Sequence, residues 1–221
     1  MHAEKSVVDG NPFVGLFARG NDRLTLVSMS APEKFTSKCH SVLKTEIRHV
    51  SVAGSNLVGL FTAMNSNGAV LPSTASKAEA REIKGLGLDV AILSGRLTAV
   101  GSNILVNDKA AVVNPLMGKV DMAAIADCLG VEVVKRRVVG YATVGCAGVV
   151  TNRGLLLHGA AEDEELHALE KIFHVKGAIG TANMGVPFVG ICMVANSQGY
   201  IAGKHTSGFE MSRIDEALGF I

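Results

Sequence analysis

Four cysteines, seven histidines and a few dense charge clusters are the residues of this 221-residue chain whose types could do chemistry. A thiol nucleophile needs a nearby cation or helix start to lower its pKa, and a metal site needs closely spaced Cys or His. Cys39, Cys128, Cys146 and Cys192 form no C-x-x-C pair, and no His lies three or four residues from another His or a Cys. Cys128 falls in a helical pattern, while Cys146 and Cys192 fall in apolar strand patterns. Buried free thiols in a reducing, cytoplasmic compartment are expected of all four. His174, in the strand pattern after a helix, is expected to be a satisfied structural histidine. Phosphate-loop, H-E-x-x-H and G-x-S-x-G signatures are missing, so no catalytic residue, metal or cofactor is expected.

The densest basic cluster is Lys135-Arg136-Arg137, with Lys34, Lys38, Lys44 and Arg48 as a second set. Glu162 to Glu165 make an acidic patch. Solvated charge is the expected role of each, with local phosphate contact as the alternative for the basic ones. Net charge is only +1, so no global attraction to nucleic acid is expected.

The elements that position these residues follow a repeat. A glycine returns at Gly15, Gly59, Gly101, Gly145 and Gly190, with gaps of 44, 42, 44 and 45 residues. Around each stands a small apolar run, a turn about six residues on, and a second apolar run. The turns, Asn21-Asp22-Arg23, Asn65-Ser66-Asn67-Gly68, Asn107-Asp108-Lys109-Ala110, Thr151-Asn152-Arg153-Gly154 and Asn196-Ser197-Gln198-Gly199, read as hairpins. Helical patterns follow over Phe35–Leu43, Lys77–Lys84, Asp121–Leu129, Glu162–Phe173 and Ser207–Leu218. Capping boxes are expected at Ser76/Glu79 and Ser207/Glu210, and Gly85-Leu86-Gly87 reads as a helix stop. Short strands are expected at Glu46–Val52, Asp89–Leu93, Val131–Val134 and Phe173–Ile179.

The last helix has no strand after it, whereas Lys5-Ser6-Val7-Val8 has no helix before it. The N-terminal strand is therefore expected to complete the fifth unit and close a ring, which removes exposed edges. An open solenoid is the alternative, but it would carry polar capping units. Hydrophobic residues make up 48% and charged residues 19%, a well-buried composition that excludes disorder. One α/β domain over residues 1–221 is expected, with no signal pattern and no membrane span.

Across essentially the whole chain these residues resemble the archaeal and eukaryotic translation initiation factor 6 family. The resemblance rests on Gly54-Ser55-Asn56-Leu57-Val58-Gly59, Ala69-Val70-Leu71-Pro72, Thr98-Ala99-Val100-Gly101 leading to Asn107-Asp108, and Val131-Glu132-Val133. Further matches are Thr151-Asn152-Arg153-Gly154-Leu155, Gly180-Thr181-Ala182-Asn183 and Glu216-Ala217-Leu218-Gly219. It implies a pentein fold, a five-bladed β/α propeller of pseudo-symmetric units. It also implies binding to the intersubunit face of the large ribosomal subunit, to ribosomal proteins near the sarcin–ricin loop with local rRNA contact. Bound there, the factor blocks small-subunit joining without chemistry, and the family also acts in large-subunit biogenesis. The chain departs from the family at Ser102, at Asn114-Pro115 and at His158-Gly159. It also stops at Ile221, without the C-terminal tail of eukaryotic members, which favours an archaeal-type member.

Equivalent loops of a ring share one face, and the resemblance places the ribosome on the loops of the second and third units. The candidate contacts are Ser55, Asn56, Leu60, Ser102 and Asn103, in a monomer with no small-molecule substrate and no membrane partner. The hairpin asparagines are expected to be turn formers. Two other classes stay open: a pentein guanidino-group-modifying enzyme with a Cys nucleophile, and a ring that oligomerises.

Overall fold

The computed structural model describes residues 2–221. β1 (Ala3–Ser6) comes first, followed by a 3-10 turn (Val14–Leu16), β2 (Ala18–Gly20), β3 (Leu24–Ser28), α1 (Glu33–Leu43) and β4 (Glu46–Val50). The second unit comprises α2 (Val58–Phe61), β5 (Ala63–Met64), β6 (Gly68–Leu71), α3 (Lys77–Lys84) and β7 (Asp89–Ile92). The third has α4 (Val100–Asn103), β8 (Ile104–Val106), β9 (Ala110–Val113), α5 (Lys119–Leu129) and β10 (Glu132–Lys135). In the fourth are α6 (Val144–Ala147), β11 (Gly148–Val150), β12 (Gly154–His158), α7 (Asp163–Phe173) and β13 (Lys176–Gly180). The fifth closes the chain with α8 (Val189–Cys192), β14 (Met193–Ala195), β15 (Tyr200–Gly203) and α9 (Gly208–Ala217).

The result is a mixed α/β fold with five three-stranded sheets. In each, an inner strand pairs antiparallel with its hairpin partner, which pairs parallel with an outer strand reached through the helix. In the fifth sheet the outer strand is β1, in register Ala3 to Tyr200 through Ser6 to Gly203. The N-terminal strand thus supplies the piece that the fifth unit lacks, ending at Ser6, two residues earlier than Val8. Both capping boxes form, with Ser76 and Ser207 accepting from Glu79 and Glu210 backbone N–H.

Two expectations change. The apolar run around each repeat glycine does not begin as a strand. It forms one helical turn, so Cys146 and Cys192 sit in α6 and α8 rather than in strands. His174 is not a buried structural histidine: it is exposed at the end of α7 with φ 54°, its N–H bonded to Glu170 O.

The helical turn explains the glycine. A methyl group at Gly59 would strike Gly15 O, and one at Gly101 would strike Gly59 O. Likewise Gly145 meets Gly101 O, Gly190 meets Gly145 O, and Gly15 meets Gly190 O. Only a residue without Cβ allows backbones so close. Each of the five apolar cores is shared between successive units. Phe35 and Cys39 of the first unit pack with Val194 and Ile201 of the fifth, and Val149 and Leu156 of the fourth pack with Tyr200 and Ile214. A lone unit could not bury its apolar face, and stacking supplies the other wall.

Four hairpin asparagines form their turns, with Oδ1 of Asn21, Asn65, Asn107 and Asn196 accepting N–H groups two and three residues on, whereas in the fourth unit Thr151 Oγ1 takes that place and Asn152 is not the turn former. They also tie units together. Asn65 Nδ2 donates to Leu129 O and Asn107 O at 2.8 and 3.3 Å, and Asn107 Nδ2 donates to Phe173 O and Thr151 O at 3.0 and 3.1 Å. Asn196 reaches Leu43 O and Asn21 O in the same way.

Candidate functional site

The candidate residues lie at the other end of the inner strands, on and beside the loops that precede the repeat glycines. In the second unit Val52 and Ser55 exchange backbone hydrogen bonds of 3.1 and 3.3 Å around Ala53 and Gly54, whose φ values are 56° and 65°. Two adjacent left-handed residues are what a tight hairpin turn matched to strand twist requires. The same bridge recurs at Val8 to Asn11 and Val138 to Tyr141, and with one residue more at Ala182 to Val186.

An acidic side chain in the first turn of the following helix anchors four of these loops. Glu79 accepts from Gly54 N at 2.9 Å and Ser51 Oγ at 3.0 Å, and Asp121 accepts from Ser94 N at 3.0 Å. Glu165 accepts from Val139 N at 2.9 Å, and Glu210 from Gly185 N at 2.8 Å and Thr181 Oγ1 at 2.9 Å. Burial by itself would raise the carboxyls of Glu79 and Glu210. The main-chain and hydroxyl donors outweigh it and hold both below the usual carboxylate range. In the first unit Phe35 occupies the matching place in α1 and packs into the core.

Asn56 is exposed and, among the described residues, its side chain makes no hydrogen bond. Ser55 is half-buried and its Oγ accepts from Leu57 N at 3.1 Å. Leu60 is half-buried in α2. The structure brings Ser102 and Asn103 to α4 instead of to a loop, at 6% and 5% exposure. Asn103 is committed internally: its Nδ2 donates to Ala99 O at 2.8 Å, and its Oδ1 accepts from Asn114 Nδ2 at 2.6 Å. Through Asn114, whose Oδ1 accepts from Leu116 N at 2.9 Å, Asn103 fixes the loop that holds out Leu116. Leu116 and Val120, 73% and 75% exposed, flank a surface groove in this third unit.

Sequence reasoning placed Asn183-Met184 among the loops that share this face but did not single out Tyr141. The bridges make Tyr141 the equivalent of Ser55 in the repeat, and the side chains of Tyr141 and Met184 are exposed. The equivalence of loops, carried one residue back from Ala142-Thr143, was the signal that could have found Tyr141.

The cysteines are not arranged for chemistry. Burial pushes the thiols of Cys39 and Cys192 up to about 12 and that of Cys128 up to about 11. It raises Cys146 as well, against the Ser102 hydroxyl and the Arg19 charge. Among the described residues no three His, Cys, Asp or Glu side chains converge as a metal site. The basic clusters are partly neutralised. Lys38 pairs with Glu4 at 2.9 Å, Arg48 pairs with Glu46, and Arg136 shares a groove with Glu162, Glu164 and Glu165. No described helix is long and apolar enough to cross a membrane.

Comparison with known proteins covers this chain from end to end. A match to the eIF-6 family spans residues 3–217. Translation initiation factor 6 of Pyrococcus horikoshii is 40% identical over 227 residues, covering 100% of both chains. The proteins of the same name from Thermococcus kodakarensis and Thermoplasma acidophilum are 43% and 36% identical. The first alignment covers 100% of both chains, the second 99% of this one and 100% of the other. With a family match over nearly every residue and archaeal relatives aligned over their full length, the chain belongs to the eIF-6 family.

Proposed function

We propose that this protein acts in translation by binding the intersubunit face of the large ribosomal subunit, near the sarcin–ricin loop, where it sterically prevents small-subunit joining. The observation that carries this reading is the family match over residues 3–217, with relatives named translation initiation factor 6 across their full length. The reading includes a part in large-subunit biogenesis, a cytoplasmic location and a monomeric state, and asks no chemistry of the chain. The raised thiols fit that, since a guanidino-modifying enzyme would need a thiolate.

The body is read as a closed pentein ring forming one domain. Supporting this, β1 completes the fifth sheet, and the glycine approaches run from 15 to 190, 145, 101 and 59 and back to 15. The proposed contacts are Asn56 and Ser55 on the loop and Leu60 on the adjoining turn; Ser102 and Asn103, buried in α4, act from within, Asn103 by holding the neighbouring loop in place. An interface of short-range complementarity, built on a few anchors, fits a chain of net charge +1 better than broad coating of RNA does.

Sucrose-gradient sedimentation with purified subunits tests the reading. The protein should co-migrate with the large subunit alone, and excess protein should deplete joined ribosomes. Asn56→Arg should abolish co-migration while leaving thermal stability within about 0.5 kcal/mol of wild type. Binding to the small subunit, or to neither, sinks the proposal. Wild-type binding by Asn56→Arg removes that loop from the interface.

A further inference from the structure

His158 ends β12 on the side of the loop tips, and the residue is only 3% exposed. Tyr141, from the loop before α6, has its ring centre 5.5 Å away, and Phe188, from the loop before α8, meets it edge-on at 4.8 Å. The two imidazole nitrogens have unequal surroundings. Nδ1 bonds to Ala160 N–H at 3.2 Å. A backbone N–H can only donate, so Nδ1 holds a lone pair and the single proton of the neutral ring sits on Nε2. Nε2 is enclosed and has no acceptor in the protein.

The third unit shows where this asymmetry comes from. Asn114 stands at the matching place there, and its Oδ1 accepts from Leu116 N, two residues on, as His158 Nδ1 does from Ala160 N. Ser28 Oγ does the same for Ser30 N in the first unit. Asn114 spends its other polar atom on Asn103 Oδ1. Two residues after the repeat glycine, where the third unit has Asn103, the fourth has Ala147, which offers no side-chain acceptor. His158 therefore keeps the turn-capping bond of its counterparts and lacks the second one. Unlike Ser or Asn, it can also take up a proton.

That proton has one place to go, Nδ1, where it would point at the N–H of Ala160. Two donors would then face each other, and an imidazolium would be enclosed with neither N–H paired, which is costly. We propose that His158 is an acid-operated latch on this face: proton uptake at Nδ1 breaks the bond to Ala160 N–H, drives the ring out of its cluster with Tyr141 and Phe188, and loosens both the turn into α7 and the footing of the Tyr141 loop tip. The charged group that faces the ring is Glu165 of α7, whose carboxylate already holds Val139 N–H. Tyr141 is the other titratable neighbour, while β13 brings Gly180 and the loop before α8 brings Phe188. Burial pushes His158 below the ordinary histidine value, and Glu165 opposes this only in part. The latch is thus shut at neutral pH and opens as pH falls below about 6.5. It does not depend on the ribosome reading.

Nuclear magnetic resonance of the full, isotope-labelled chain tests this. At neutral pH the His158 ring should show the Nε2–H tautomer and close contacts with the Tyr141 and Phe188 rings. On acidification, ring protonation and loss of those contacts should share one midpoint, below about 6.5. An Nδ1–H tautomer at neutral pH overturns the proposal, as do ring contacts that persist once His158 is fully protonated. His158→Asn copies Asn114 and cannot titrate, so it gives a second readout. The unfolded chain binds the proton more readily than the native one, so native stability fades as pH drops through about 6.5. Between about pH 7 and about pH 5 the wild-type melting temperature should fall by about 2–4 °C more than that of His158→Asn. Parallel falls in the two proteins overturn the proposal. Should His158→Asn fail to fold, the resonance titration of the wild type decides alone.

Discussion

The two ends of the inner strands treat polar atoms in opposite ways. At the hairpin end, asparagine amides reach from one unit to the next, and Asn152 Nδ2 lies between Asp22 and Asp108 at 2.8 and 2.7 Å. Nearly every polar group there is spent on the protein itself. At the glycine end, the first-turn acids and the Asn103–Asn114 pair are spent inward, on holding loops. The loop tips, Asn56, Tyr141 and Met184, are left exposed. Asparagine is used in both places with different consequences. A buried amide bonded on all sides fixes architecture, whereas an exposed one is free to meet a partner.

Substitutions that cross this divide should break or sharpen it. The largest effect is expected from Gly59→Ala, where the new methyl would meet the main chain at Gly15 and Ala18, which cannot move aside as a side chain can. A loss of about 3 kcal/mol or more, or failure to fold, should appear in chemical denaturation. Next comes Asn65→Ala, which removes the amide donor to Asn107 O, leaves Leu129 O to Asn67 Nδ2 alone and removes the cap of its own turn. It should cost about 2–4 kcal/mol by the same measurement. Full stability in that variant would show that the hairpin amides do not bind units together.

A smaller and pH-dependent effect belongs to Glu210 at the loop end. Its carboxyl is held below the ordinary value, so its stabilisation is complete above about pH 4.3, the unfolded-state glutamate pKa, and fades as pH falls through the folded one. Glu210→Gln should lower the melting temperature near neutral pH and flatten its fall in acid. Parallel melting curves against pH for the two proteins would remove Glu210 from the acid response. The smallest effect on stability is that of Asn56→Arg, whose consequence should appear in binding.

Local signals in the sequence were read with little error. α3 runs over Lys77–Lys84 as its capping box and periodicity require, and Ser207 and Gly85 stand at the cap positions. Helix stripes and capping boxes depend on residues within one or two turns, so the chain carries them openly. The four-residue runs at Val58, Val100, Val144 and Val189 were misread as strand, because so short an apolar run has no periodicity to separate helix from strand. The candidate site was legible in part. Loop equivalence pointed to Ser55 and Asn56, but placed Ser102 and Asn103 on a loop when they lie within a helical turn.

By itself, then, the sequence determined five units of about 44 residues, their helices and hairpins, and a leading strand that had to complete the last sheet. Tertiary structure alone decided why the repeat residue is glycine, which carbonyls each hairpin amide reaches, and that Arg19 reaches carbonyls of two other units. Each of those facts joins atoms some 40 residues or more apart, such as Arg19 with Gly59 and Gly101. Nearest-neighbour spacing holds no record of a contact that exists only once the units are stacked.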